Sequence, residues 1–125
     1  MKHGIARTKE MVEKYRAYRS EKGADYSENF SFDLSGENIL HEGKYWAVIP
    51  NDFPYDQVFE THHLLIPKRV FPFASDMTKE EFDELQKMKI DLDKYYDSVM
   101  ENLYEGRSVH KHFHLQLFVW KRVDD

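Results

Sequence analysis

Apolar and polar residues alternate from Ser108 to Val119, and this period of two predicts a β-strand. In a strand, side chains at i, i+2 and i+4 share one face, about 6.6–7 Å apart per step. Phe113, Leu115 and Leu117 then point to a core, while His110, His112, His114 and Gln116 line an opposite, exposed face. Upstream, residues 5–22 (Ile5 to Lys22) read as a charged, weakly amphipathic helix with Met11, Val12, Tyr15 and Tyr18 on its packed side. Gly23 stands where a C-cap glycine belongs. Residues 24–36 are irregular, with a short strand expected at Phe30–Leu34. Asn38–His41 and Tyr45–Pro50 form a hairpin around Gly43, and Thr61–Ile66 form a third strand closed by Pro67. Thr78 and Glu81 make a capping-box pattern. It opens a long helix whose apolar stripe is Phe82, Leu85, Leu92, Tyr96, Val99 and Leu103, ended by Gly106. That spacing leaves no strand between the long helix and the histidine run.

Composition narrows the classes. The 125 residues suit one domain with a real core, and nine Phe, eight Tyr and two Trp fit a folded chain rather than a disordered one. No cysteine is present, so disulfides, thiolate nucleophiles and cysteine-ligated zinc are excluded. No apolar run approaches the roughly 18 residues of a membrane span and no secretory h-region stands out, so a soluble cytoplasmic protein with no membrane partner is expected. A formal net charge of −5 argues against general nucleic-acid binding, yet leaves room for a small phosphorylated ligand in a local pocket.

In-phase histidines suit phosphoryl chemistry. A neutral imidazole nitrogen can attack phosphorus once its other ring nitrogen is fixed by an acceptor, and neighbouring donors can stabilise charge on the equatorial oxygens. His62, on the third strand, is a candidate for a phosphate contact or proton transfer; His62 and His63 alternate faces, so at most one reaches the site. His110 has an alternative place at the rim, and Lys68, Arg69 and Arg107 an alternative as ordinary surface charge. His112, His114 and His62 could instead ligate a metal in a hydrolase, although no acidic residue stands in the row and glutamine is a poor ligand.

His112-Phe113-His114-Leu115-Gln116-Leu117-Phe118 resembles the terminal-strand motif of the histidine-triad superfamily of nucleotidyl hydrolases and transferases. That motif is His-φ-His-φ-His-φ-φ, with φ apolar, and glutamine replaces the third histidine in its uridylyltransferase and dinucleoside-polyphosphate phosphorylase branches. The frame His110-Lys111-His112-Phe113-His114 matches three histidines but puts lysine at an apolar position, so the glutamine frame is preferred. Tyr45–Pro50, on through Phe53-Pro54-Tyr55, and His62-His63-Leu64-Leu65-Ile66-Pro67-Lys68-Arg69 resemble the superfamily's second and third strands, and Gly106-Arg107-Ser108-Val109 resembles its Gly-x-Ser lead-in. The resemblance covers about residues 37–120.

It implies one α+β domain over 1–125, with a histidine-triad-like antiparallel sheet and a long helix in 37–120 and the N-terminal helix and irregular extension in 1–36. It implies nucleotidyl hydrolysis or transfer through a phosphohistidine intermediate, with no cofactor and no metal. His114 is the nucleophile (His112 in the other frame), His112 and Gln116 flank it, and His110, His62, Ser108 and Arg107 contact substrate. Without a preceding strand, a non-catalytic nucleotide-binding module is the alternative. The N-terminal helix is available for a partner or a homodimer.

Overall fold

The described residues contain a sheet of β1 (His41–Glu42), β2 (Trp46–Pro50), β3 (Phe59–Pro67), β4 (Ser98–Met100) and β5 (Leu115–Trp120). These pair antiparallel in the order β1-β2-β3-β5-β4. The computed structural model describes residues 5–36 and 38–123. The helices are α1 (Lys9–Lys22), α2 (Tyr26–Asn29) and α3 (Lys79–Leu92). The architecture is α+β, as the residue pattern implies.

Apolar side chains on the two faces of the sheet meet different partners. On one face Trp46, Val48, Leu65, Phe113, Leu115 and Leu117 join Leu85, Met88 and Leu92 of α3 in the main core. On the other, Ile49, Leu64 and Ile66 form a second cluster covered by Phe32, Leu34 and Ile39 of the N-terminal segment. A sheet apolar on both faces must be covered on both.

The N-terminal segment is tied down where its sequence offers hydrogen bonds. Thr8 caps α1 by accepting from the Met11 amide at 3.3 Å. The Asp56 carboxylate takes the Thr8 amide and hydroxyl at 2.8 and 2.9 Å, fixing the helix start to the β2–β3 loop. Tyr15 and Tyr18 lie against Phe53, with ring centroids 4.9 and 4.8 Å away. Gly23 ends α1 at φ +94°, a conformation that favours glycine. The helix starts at Lys9 rather than Ile5, because the cap falls at Thr8. The strand expected at Phe30–Leu34 does not form: these residues bind the sheet through side chains and through the Phe32 amide, not through a ladder.

The long helix is shorter than its apolar spacing predicts. The capping box at Thr78 and Glu81 forms as expected, but α3 stops at Leu92 in tight turns, with the Tyr95 and Tyr96 amides both donating to the Leu92 carbonyl. The Asp97 amide then donates to the Phe118 carbonyl, and residues 98–100 pair with β5 as β4. The strand that appeared to be absent is therefore present. Val99 and Leu103, expected in the helix core stripe, are exposed, and Phe82 is half exposed beside α3's first turn.

Candidate active site

The histidine run precedes the ladder instead of lying within it. Regular pairing of β3 with β5 ends at Leu65↔Leu115. Further along, Pro67 has no amide hydrogen to donate. The chain bonds elsewhere instead: the Phe113 amide donates to the Phe71 carbonyl at 2.7 Å, and His112 Nε2 lies 2.7 Å from the Pro67 carbonyl. The alternation of faces survives, with Phe113, Leu115 and Leu117 in the main core and His112, His114 and Gln116 on the other side. That other side is not exposed. Phe32 stands with its ring 5.5 Å from His112 and 5.1 Å from His114, so both imidazoles and Gln116 are buried.

The two motif histidines are bonded in different ways. His112 uses both ring nitrogens, Nε2 donating to the Pro67 carbonyl and Nδ1 accepting from the Phe32 amide at 3.2 Å. In His114, Nδ1 lies 2.9 Å from the His112 carbonyl, an acceptor that assigns the proton to Nδ1 and leaves Nε2 with its lone pair. Among the described residues nothing hydrogen-bonds to that Nε2. Burial pushes the His114 pKa down to about 4, against the opposing pull of the His112 carbonyl, so the ring is neutral near pH 7.

His62 sits beside this pair on the central strand. Cross-strand pairing of His62 with Phe118 and of Leu64 with Gln116 puts His62 on the histidine face. His63 turns to the opposite face, where its Nδ1 lies 2.6 Å from the Tyr96 hydroxyl. Of these two histidines, one reaches the site, as alternation requires. The Tyr55 amide donates to His62 Nδ1 at 2.9 Å, which assigns the proton of the neutral ring to Nε2. Burial lowers the His62 pKa to about 4, while the neighbouring Gln116 amide pulls weakly the other way.

A narrow pocket of about 50 Å³ opens in front of His114 and Gln116. Ser108, Val109, Asn102, Asn51 and Leu64 contribute to its walls, and Phe53, Tyr55, Arg7, Tyr15, Tyr26 and Phe32 complete them. The sequence did not assign the last six to the site: Arg7 and Tyr15 fall in the expected helix over 5–22, Tyr15 on its packed side, and the other four lie in loops or irregular segments that name no ligand. Two expected substrate contacts lie elsewhere. Arg107 is buried against the Phe113 ring and donates to the Pro72 carbonyl at 2.7 Å. His110 stacks on Tyr104 and pairs with Glu28 at 2.9 Å. Lys68 and Arg69 form ion pairs with Glu42 and Glu81, as ordinary surface charges do. A larger hollow of about 750 Å³ between the β1–β2 hairpin and α3 contains neither the motif histidines nor Gln116.

Among the described residues no three His, Cys, Asp or Glu side chains are placed to hold a metal ion. The set of His112, His114 and His62 fails because hydrogen bonds to the backbone already occupy both His112 nitrogens. No described helix is long and apolar enough to cross a membrane.

No family profile matches the chain, and no curated protein does. Solved structures do. A histidine triad protein from Clostridium difficile superposes with a TM-score of 0.52 at 20% identity, covering 70% of this chain and 83% of that one. A Hit-like protein gives a TM-score of 0.54 at 18% identity, over 66% and 84%. A HIT family hydrolase from Legionella pneumophila Philadelphia 1 gives 0.53 at 21% identity, over 70% and 84%. The chain has the histidine-triad-like fold.

Proposed function

We propose that this protein is a nucleotidyl hydrolase or transferase that acts on nucleoside phosphate derivatives through a covalent adduct on His114. One observation carries the reading: His114 is a buried, neutral imidazole whose Nδ1–H is held by a backbone carbonyl, with Nε2 unengaged at a pocket. The same criterion selects between the two motif frames. His112 has no nitrogen to attack with, so it positions His114 through its own carbonyl.

In the first step the Nε2 lone pair forms a bond to phosphorus, and the bond from phosphorus to the leaving group breaks. The leaving group departs with that electron pair and takes a proton from solvent water. The ring then carries positive charge, which the His112 carbonyl stabilises at Nδ1–H. In the second step water or another acceptor attacks phosphorus, the P–N bond returns its electron pair to Nε2, and the acceptor loses a proton. Which acceptor arrives decides between hydrolysis and transfer. Gln116, Ser108 and the Nε2–H of His62 are donors for the equatorial oxygens, where charge accumulates.

Incubation with a panel of labelled nucleoside phosphates tests this. The expected result is an acid-labile label on His114. His114→Ala should abolish turnover while substrate still binds, since a nucleophile acts in the transition state. Label that persists in that variant, or wild type that turns over no member of the panel, refutes the reading.

A further inference from the structure

The segment before α1 contributes a cation to the histidine pocket. Arg7 lines the same cavity as His114 and Gln116, and its field depresses the charge state of His62. Its orientation is fixed: Nε donates to the Phe53 carbonyl at 2.9 Å, and the guanidinium lies 4.5 and 4.8 Å from the Tyr15 and Tyr55 rings. No carboxylate among the described residues pairs with it. Asp56, anchored close by in sequence to the Phe53 loop, spends both oxygens on Thr8.

A guanidinium has five N–H donors in a fixed fork, and Arg7 uses one of them on the protein. Its terminal nitrogens remain for an anion. Of the groups that line the pocket with it, Gln116 carries no charge and His114 is neutral at pH 7. Among the described residues that line this pocket, Arg7 carries the one fixed charge, and no carboxylate joins it. A phosphoryl group supplies the complementary charge and the paired oxygens that suit bidentate binding. A pocket of about 50 Å³ admits such a group and keeps the remainder of a nucleotide outside.

We propose that Arg7 binds the phosphoryl group in front of His114, so that the N-terminal segment is part of the substrate site rather than an appendage to the sheet. The proposal rests on the reading of His114 as the reactive group. Its test separates the two. In full-length protein carrying His114→Ala, inorganic phosphate, the four nucleoside 5′-monophosphates and the matching unphosphorylated nucleosides are titrated calorimetrically, with and without Arg7→Gln or Arg7→Lys. Thermal melts without ligand confirm that each variant is folded.

Arg7→Gln is expected to weaken phosphate and monophosphate binding about 10- to 100-fold, as loss of a charge-assisted contact does, with nucleoside binding unchanged. Arg7→Lys is expected to fall between. Equal affinity for phosphate in Arg7→Gln, equal weakening of the unphosphorylated nucleosides, or no phosphate binding before Arg7 is changed overturns the proposal. Loss of phosphate affinity in Arg7→Gln alongside a wild type that turns over no nucleoside phosphate upholds Arg7 and defeats the nucleophile reading.

Discussion

Acidification from pH 7.5 to 5.5 should destabilise this protein through its buried imidazoles, well before its carboxylates protonate. Burial lowers the pKa of both His62 and His114 from 6.5 to about 4. In the unfolded chain these histidines take up protons near pH 6.5, while in the folded chain they stay neutral until about pH 4. The unfolded state therefore binds more protons in that window, and folding stability falls as pH falls. The contribution is complete above pH 6.5 and is lost on the way down to about pH 4. Each ring is worth roughly 3 kcal/mol over the whole interval. By pH 5.5 about 1–2 kcal/mol per ring is gone, or roughly 3 kcal/mol for the pair. His112 and His63, also lowered by burial, push in the same direction. A domain's total stability is about 5–15 kcal/mol, so the loss is easily measured. Urea unfolding followed by circular dichroism at half-unit pH steps provides the assay. Its slope should report close to one proton per buried histidine near pH 5.5. A free energy of unfolding that stays flat to within about half a kcal/mol across this range contradicts the buried, neutral assignment on which the His114 chemistry depends.

Four further substitutions check the frame around the site. Leu115→Ala, at a residue 4% exposed within the main core, should cost about 2–5 kcal/mol in urea unfolding. The exposed Val99→Ala should stay within about half a kcal/mol. Glu84 accepts from the backbone amides of Lys44, Tyr45 and Trp46, at 3.1, 2.9 and 3.0 Å. Glu84→Ala should cost about 1–3 kcal/mol. Gly43→Ala should have a similar effect, because a Cβ there collides with the Glu84 carboxylate.

Much of this arrangement was legible in the residue pattern, and the exceptions have physical causes. Thr78 and Glu81 announce α3 because a capping box is a local device that needs no tertiary contact. β2 and β3 are short apolar runs and appear where expected, whereas the first hairpin strand, expected at Asn38–His41, is the two-residue β1 at His41–Glu42. The end of α3 was hidden because Leu92, Tyr96, Val99 and Leu103 continue the helical spacing across a point where the chain turns. No glycine or proline marks the break, and a three-residue strand is too short to show a period. The face of His114 followed from alternation alone. Its burial did not, because the cover comes from Phe32, whose segment pairs with nothing in sequence terms. Arg107 illustrates the opposite error. Its place beside the motif suggested a phosphate contact, whereas its guanidinium is buried near the Phe113 ring and donates to the Pro72 carbonyl.

The bond from the Phe32 amide to His112 joins residues 80 positions apart in the chain. A contact of that sequence separation is expected to close after the local hairpins and helices, and its entropic cost must be met by the contacts it completes. The sheet can thus assemble while the reactive face stays wet and its first histidine keeps a free acceptor. A chain trimmed to residues 38–120 would keep all five strands and α3. It would also lay bare the strip of Ile49, Leu64 and Ile66, with no Phe32 or Leu34 to shield it. Such a fragment should aggregate more readily than the whole chain, by exposing a sticky stripe on an otherwise intact sheet. The boundary drawn by motif resemblance therefore leaves out Phe32 and Leu34, which cover one face of the sheet.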